Sequence, residues 1–379
     1  MPDLLSALFV LSAVASSAFF VWLRLGFDRA RAQSYDSSRE IDVTVIVAAH
    51  NEETQLPALL EALGSQTCAS KGLHLIVVDD RSTDGTAQAL REHCPASLDC
   101  TVLRIDHVAE GVSPKKNALH HAVRAAITDV LLFTDADCRP EPRWAEAMAA
   151  RFANGADVVL GLSPVDGGSG VLSAYAAYEA ARTAMTYIAA AGWKRPYMSV
   201  GRNWGYRRSL FERSGGLEAL FGELGGDDDL LLQRFLARRP TVAVCVEAGT
   251  LCRTAAPVSF RALCRQKLRH YRAGASYRGA PGVWNPLTWL LAAGVAEFAS
   301  VIVAPVLLVA WQGAALWIVC SVLALKLGYD VHFLNPMLRL MTPWRGAASV
   351  HARGAFLEFV HVIFSSVVSP LSLLLPRKW

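Results

Sequence analysis

A short apolar run that ends in two acidic residues, near the middle of the chain, limits the possible folds most. It is the segment 130–137, VLLFTDAD. Four consecutive apolar residues predict a strand buried on both faces, as in a parallel sheet covered by helices. Residues two apart in an extended chain point the same way, so Asp135 and Asp137 should project together from the carboxyl end of that strand. Open α/β sheets bind their ligands at this edge.

The two carboxylates of this run are candidate metal ligands. Mg²⁺ and Mn²⁺ prefer oxygen ligands, and Mg²⁺ is usually held by one or two carboxylates together with substrate phosphates. A solvated strand end is the alternative interpretation for an isolated pair of aspartates. The neighbouring motifs favour the metal site, with Asp137 and Asp135 as ligands of Mg²⁺ or Mn²⁺.

Strands and helices alternate before this run. Residues 41–49 are rich in β-branched side chains and predict a first strand, and residues 56–64 carry leucines at helical spacing. Residues 73–78 predict a second buried strand, and the turn-forming residues 81–86 start the next helix. This order predicts an α/β fold with a mostly parallel sheet. The sequence contains neither a glycine-rich dinucleotide fingerprint nor a P-loop.

Three motifs together resemble a known enzyme family. They are VAAHNEE at 47–53, VVDDRSTDGT at 77–86 and TDAD at 134–137. Their order and spacing resemble family 2 glycosyltransferases of the GT-A fold, a Rossmann-like nucleotide-diphospho-sugar transferase fold. The resemblance implies that Asp79 and Asp80 hold the nucleotide base and ribose, and it implies substrate contacts for Asn51, Glu52 and Asp135.

Two lysines open the next predicted helix, at 113–127. Cations at a helix start oppose the helix dipole, which favours anions there, and a bound diphosphate would relieve this conflict. The segment is similar to the glycine-lysine segment of the family, with Pro114 in place of the glycine. We favour Lys116 as the phosphate contact and keep Lys115 as the alternative; a solvated basic turn is the other interpretation.

Three adjacent aspartates, at 227–229, precede a run of leucines. Like charges this close raise at least one pKa, which suits a carboxylate for proton abstraction. A solvated helix N-terminus, where acidic residues are favoured, is the simpler interpretation. The family carries Glu-Asp here, and its Asp is the general base. The resemblance therefore implies Asp228 as the base beside Asp227, or Asp227 itself if the alignment shifts by one residue.

A basic amphipathic segment lies at 257–282, with six Lys or Arg residues and no acidic residue. A helix of this kind before an apolar block is expected at an anionic bilayer surface. Gln266, Arg269 and His270 also resemble the Q-x-x-R-W motif of membrane-bound cellulose, hyaluronan and ceramide-glucose synthases, with His270 in place of the Trp. The resemblance implies that these three residues contact the diphosphate and the acceptor.

Apolar residues are concentrated at both ends of the chain. Only 18% of the residues are charged, whereas soluble proteins average about 25%. Residues 4–23 contain no charge, and a bilayer span needs about 20 apolar residues. This block and the blocks at 283–309, 313–325 and 355–375 predict one N-terminal and three C-terminal transmembrane helices.

The composition divides the chain into four predicted regions. They are an N-terminal transmembrane helix at 1–26, a GT-A catalytic domain at 35–256, the basic interfacial helix at 257–282 and a C-terminal membrane region at 283–379. Basic residues flank the apolar blocks on the side of the domain, so the positive-inside rule predicts a multi-pass protein of the bacterial inner membrane with a cytoplasmic domain. The eight cysteines show no metal-site spacing, which favours reduced thiols and argues against structural zinc.

These patterns together predict an inverting glycosyltransferase. It would move a sugar from a nucleoside diphosphate sugar, expected to be a UDP-sugar, to a hydroxyl of a lipid or lipid-linked acceptor at the cytoplasmic membrane face. No nucleic-acid partner is expected. The alternatives are a processive polysaccharide synthase and a non-catalytic membrane scaffold that binds nucleotide sugars.

Overall fold

The chain forms two units, each assembled from separate segments. The computed structural model describes residues 2–36, 40–68, 72–166, 170–223, 225–275, 277, 286–303, 305–306, 309–310, 316–342 and 347–374. One unit, here called the helical unit, comprises Met1–Arg29, Gly167–Ala190 and Ala256–Trp379. The other, the α/β unit, comprises Ala30–Asp166 and Ala191–Ala255. The four regions predicted from composition remain a prediction.

The α/β unit is built on a seven-stranded sheet, and the predicted α/β class is confirmed. The strands of this sheet are β1 (Val43–Ala49), β2 (Leu73–Asp80), β3 (Asp99–Ile105), β4 (Val130–Asp135), β6 (Val158–Gly161), β8 (Trp204–Arg207) and β9 (Val242–Cys245). Their order across the sheet is β3-β2-β1-β4-β8-β6-β9. Every neighbouring pair is parallel except those made by β8, which runs antiparallel to β4 and β6. The sheet is therefore mostly parallel, as predicted.

A second, three-stranded sheet lies in the same unit and was not predicted. It consists of β5 (Cys138–Pro140), β7 (Val165–Asp166) and β10 (Cys252–Ala255). The strand β5 begins at the residue after Asp137. This small sheet therefore fixes the chain directly after Asp135-Ala136-Asp137, here called the D-x-D motif.

Helices connect the strands of the α/β unit and supply its core. They are α2 (Leu56–Gly64), α3 (Thr86–His93), α4 (Pro114–Ala125), α5 (Trp144–Ala153), α7 (Arg208–Arg213) and α8 (Asp229–Leu236). The leucines of α2 at 56, 59, 60 and 63 recur at helical spacing and are all buried. They form one core with Val43, Val45 and Val47, alternate residues of β1 that share one face of the sheet. The helix predicted at 56–64 is thus confirmed.

The helical unit contains the apolar ends of the chain. Its helices are α1 (Pro2–Arg31), α6 (Val171–Gly192), α9 (Phe260–Ala275), α10 (Pro286–Phe298), α11 (Leu316–Met341) and α12 (Ala347–Leu374). Within the described residues, Phe9–Arg31 and Ala352–Ser372 are long and apolar enough to cross a bilayer, and Thr288–Val303 is apolar but shorter. The block predicted at 313–325 falls largely on α11, which continues into a segment that carries Lys326 and Asp330.

Buried charges pair with one another inside the helical unit. Arg182 of α6 donates to Glu358 of α12 over 3.0 Å and also pairs with Glu297 of α10. Lys267 of α9 pairs in the same way with Glu179 of α6. Ions this deeply buried are tolerated only with such partners, so these pairs connect α6 with three other helices of the unit.

One disulfide corrects the expectation that every cysteine is reduced. Cys94 directly follows α3, and Cys100 is the second residue of β3. The short connection between the two elements brings their Cα atoms to 6.8 Å, within reach of a disulfide. The remaining six cysteines are free thiols.

Candidate active site

Three strands of the sheet end side by side and carry the acidic motifs. The register pairs Ala48 of β1 with Asp135 of β4, and Ala49 with Asp79 of β2. The side chains of Asp135 and Asp137 are partly exposed, whereas Ala136 between them is only 3% exposed. Both carboxylates raise the pKa of Glu52, so both lie near it. Residues 136–137 form a turn and not an extended chain, and the common direction of the two aspartates stays a prediction.

Lys115 joins the D-x-D motif to the acidic triplet. Its ammonium lies 2.7 Å from a carboxylate oxygen of Asp135 and 3.2 Å from one of Asp227. Burial alone would raise the pKa of Asp135, but the charges of Lys115 and Arg202 outweigh it and lower this pKa. One cation thus brings together two acidic groups that are about 90 residues apart in the sequence.

The acidic triplet begins α8 and is shaped by the loop before it. Gly225 and Gly226 have φ values of +70° and +76°, a conformation that favours glycine. Asp228 caps the helix by accepting the N–H of Asp229, and its other oxygen accepts the N–H of Gly201. Burial, followed by the charges of Asp229 and Asp227, raises the pKa of Asp228 well above its usual range. A raised pKa suits Asp228 for proton transfer.

Glu52 and Asn51 follow β1 at the same edge of the sheet. Burial raises the pKa of Glu52, and the nearby charges of Asp137 and Asp135 raise it further. The Asn51 side chain accepts the N–H of Thr83 over 2.9 Å, so it connects the loop after β1 to the loop after β2. Glu52 lies in the electrostatic field of the D-x-D motif, while Asn51 stabilises the two loops.

Asp79 and Asp80, at the end of β2, are both buried and paired with arginines. Asp79 pairs with Arg104 of β3, and Asp80 accepts from Arg81 at 2.8 Å. Asp79 and Arg104 line a cavity of about 570 Å³ between α3 and β3, next to the disulfide. Their assignment to the nucleotide base remains a prediction.

The two lysines at the start of α4 have different surroundings. Lys116 is 0% exposed, and its ammonium donates to the backbone carbonyls of Leu220 at 2.6 Å and Glu223 at 2.9 Å. Lys115, one residue earlier, is partly exposed beside Asp135. Two of the three N–H donors of the Lys116 ammonium are therefore engaged by backbone carbonyls, whereas the ammonium of Lys115 lies beside the D-x-D motif.

The Q-x-x-R-W-like residues lie on α9 of the helical unit. Arg269 and His270 are exposed and Gln266 is half-buried. Leu263 and Lys267 of the same helix are buried, whereas Phe260 is 63% exposed. The substrate contacts of Gln266, Arg269 and His270 stay a prediction.

The donor set around the D-x-D motif suits a hard divalent cation. Asp135, Asp137 and Glu52 provide carboxylate oxygens, the ligand type that Mg²⁺ and Mn²⁺ prefer. Within the described residues, no group of three or more His, Cys, Asp or Glu side chains is arranged to hold a metal ion by itself. The residues therefore fit a cation that takes part of its coordination from substrate phosphates, as Mg²⁺ usually does.

Two family models match the chain. The model of the glycosyl transferase family group 2 matches residues 130–329, more than half of the chain, and the model of glycosyl transferase family 2 matches residues 44–215. The chain is a family 2 glycosyltransferase.

Curated relatives of this glycosyltransferase match over shorter stretches. The 4,4'-diaponeurosporenoate glycosyltransferase of Staphylococcus haemolyticus is 34% identical over 119 residues, which is 30% of each chain. The probable glycosyltransferase YdaM of Bacillus subtilis is 28% identical over 188 residues, covering 46% of this chain and 42% of YdaM. An undecaprenyl-phosphate 4-deoxy-4-formamido-L-arabinose transferase of Pectobacterium carotovorum is 31% identical over 123 residues, covering 31% of this chain and 36% of the relative. The chain thus spans less than half the length of each relative.

A solved structure shares the GT-A fold of this glycosyltransferase. The mannosyltransferase PcManGT from Pyrobaculum calidifontis, solved in complex with GDP-Man and Mn²⁺, superposes with a TM-score of 0.56 at 19% sequence identity. The match covers 94% of this chain and 99% of PcManGT. The predicted GT-A fold is therefore confirmed.

The sequence prediction missed one charged residue of the site. Arg202 lies in the loop before β8 and is the second cation that lowers the pKa of Asp135, after Lys115. The segment 201–208 carries three arginines, and no local periodicity separates the one near the D-x-D motif from the other two. Its position depends on the antiparallel pairing of β8 with β4.

Proposed function

We propose that this glycosyltransferase moves a sugar from a nucleoside diphosphate sugar to a hydroxyl of a lipid or lipid-linked acceptor, with inversion at the anomeric carbon. One observation carries the proposal. The ammonium of Lys115 lies within 3.2 Å of both Asp135 and Asp227, so the D-x-D motif and the acidic triplet meet at one point. A diphosphate-binding group and a general base must be this close if one sugar is to bridge them.

Each side chain has a role in this proposal. Asp228 takes the proton from the acceptor hydroxyl, whose oxygen attacks the anomeric carbon from the side opposite the leaving diphosphate. Each carboxylate oxygen of Asp228 accepts one backbone N–H, and each has a further acceptor position that can meet the hydroxyl. Lys115 neutralises charge that develops on the leaving diphosphate.

Asp137 and Asp135 would hold Mg²⁺ or Mn²⁺, with Glu52 beside them. A bound divalent cation supplies Lewis-acid stabilisation of the leaving diphosphate. The protein's own contribution is a set of carboxylates fixed by β4 and by the small sheet that follows it. Asp79 and Asp80, paired with Arg104 and Arg81, hold the nucleotide at the adjacent strand end.

The helices of the helical unit support a membrane location for the acceptor. Phe9–Arg31 and Ala352–Ser372 are each long and apolar enough to span a bilayer. Exposed arginines on α9, including Arg265 and Arg269, suit an anionic membrane surface. In this proposal the protein is a multi-pass enzyme whose α/β unit faces the cytoplasm, and the acceptor comes from the same bilayer.

Transfer of labelled sugars to extracted lipids tests the proposal. Full-length protein in native membranes is incubated with a panel of labelled nucleotide sugars and Mn²⁺, and the lipids are analysed by mass. We expect one donor to give a single-sugar lipid product. Asp228→Asn should lower its rate about 100-fold or more, since it removes the general base. Removal of divalent cations should abolish transfer until Mg²⁺ or Mn²⁺ is restored.

The matched control is Glu92→Gln, which alters an exposed carboxylate of α3 and should retain the wild-type rate. An Asp228→Asn variant with wild-type activity would contradict the general-base assignment. A ladder of product lengths would favour a processive synthase instead. Binding of a nucleotide sugar without turnover against any lipid extract would favour a non-catalytic scaffold.

A further inference from the structure

Arg202 lies at the same edge of the sheet as the first aspartate of the D-x-D motif. The antiparallel register pairs Phe133 of β4 with Trp204 of β8. Asp135 follows Phe133 by two residues, and Arg202 precedes Trp204 by two residues in a turn outside the strand. The turn that carries Arg202 is therefore next to the end of β4.

The guanidinium of Arg202 is held by a hydroxyl and not by an acid. Its Nε donates to the hydroxyl of Ser163 over 2.7 Å, and the side chain is half-buried. Within the described residues, this hydroxyl is the hydrogen-bond partner of Arg202. An arginine has five N–H donors in a planar fork, so the outer edge of the Arg202 fork is available to a ligand.

The neighbouring residue connects Arg202 to the general base. The N–H of Gly201 donates to Asp228, and a Cβ built on Gly201 would come within 3.1 Å of the same carboxylate oxygen. Arg202 therefore follows directly on the residue that positions Asp228, in a turn at the sheet edge where β4 ends at Asp135. This turn lies beside both the proposed general base and the D-x-D motif.

We propose that Arg202 binds the transferred sugar of the donor through its hydroxyl groups and helps to determine which sugar is accepted. In an in-line displacement the anomeric carbon lies between the attacking oxygen and the leaving phosphate. A hydrogen-bonding side chain beside Asp228 and Asp135 can therefore reach the sugar ring. Paired hydroxyls of a sugar match the forked N–H donors of a guanidinium. This inference rests on the proposed function.

Binding measurements that compare two ligands test this role. Isothermal titration of the purified full chain with Mn²⁺ gives the Kd of the nucleoside diphosphate alone and of the matching nucleotide sugar. Arg202→Gln should weaken binding of the nucleotide sugar about tenfold or more, the value of a hydrogen bond from a charged donor. It should leave the affinity for the nucleoside diphosphate within about twofold, because that ligand lacks the sugar.

Arg202→Lys and Arg124→Gln complete the series. The lysine variant keeps the charge but not the fork and should fall between wild type and Arg202→Gln. Arg124 is exposed on α4, and its replacement should change neither Kd. Equal weakening of both ligands by Arg202→Gln, or no weakening of either, would overturn the inference. Wild-type protein that binds neither ligand would overturn the proposed function itself, and this inference with it.

Discussion

Replacing Lys116 by methionine tests whether this buried lysine supports the fold or binds phosphate. Methionine keeps the length of the side chain but removes the ammonium that donates to the carbonyls of Leu220 and Glu223. Each of these two hydrogen bonds from a charged donor contributes about 1.5–3 kcal/mol. This loss of stability is partly offset, because the variant no longer buries a charged group. We expect a net loss of about 3 kcal/mol in the free energy of unfolding.

Thermal unfolding of the detergent-solubilised full chain measures this loss. For a unit of this size, 1 kcal/mol shifts the melting temperature by about 2–4 °C, so Lys116→Met should melt about 6–12 °C lower. The signal is tryptophan fluorescence, to which the buried Trp144 and Trp204 of the α/β unit contribute. Below its melting temperature the variant should bind a nucleoside diphosphate with nearly wild-type affinity.

The neighbouring lysine provides the matched control. Lys115→Met removes two partly exposed ion pairs, which are each worth about 1 kcal/mol or less, so its melting temperature should fall less than that of Lys116→Met. Its affinity for the nucleoside diphosphate should fall instead. The opposite pattern, with Lys116→Met stable but weak in nucleotide binding, would refute the structural role of Lys116.

Two further predictions concern the acidic triplet and the helical unit. The kcat/KM should rise with pH along a limb whose midpoint lies above the usual aspartate pKa of about 3.9, because Asp228 must lose its proton to act as a base. Asp227→Asn removes one of the charges that raise the pKa of Asp228, so it should move this limb to lower pH in a pH–rate profile; a limb that stays in place would contradict the assignment. Arg182→Leu leaves Glu297 and Glu358 buried without their cation and should lower the free energy of unfolding by about 3–5 kcal/mol. Its melting temperature should therefore be lower than that of Arg182→Lys. A leucine variant as stable as wild type would disprove this role.

The features that sequence predicted best are those that depend on neighbouring residues. The strand at 130–135 follows from its apolar run. The helix at 56–64 follows from the spacing of its leucines. Each of these patterns is contained within ten residues, so no distant partner was needed to recognise it.

The features that sequence missed depend on distant partners. Lys115 and Lys116 are adjacent on one helix, and the partner that buries Lys116 is a loop about 100 residues further along the chain. The four residues of β8 form a strand only because β4 and β6 lie on either side of it. The disulfide likewise required the packing of α3 next to β3. No spacing rule applied to the sequence contains this information.

The reversed direction of β8 has a consequence for how this enzyme can diversify. A strand that runs against its neighbours begins where they finish, so the turn at 201–202 lies at the reacting edge and outside the residues of β8 that pair with β4 and β6. Mutations at such a turn can exchange the side chain offered to the substrate while the strands that carry the acids stay unchanged. New sugar preferences could therefore arise here at small cost to folding.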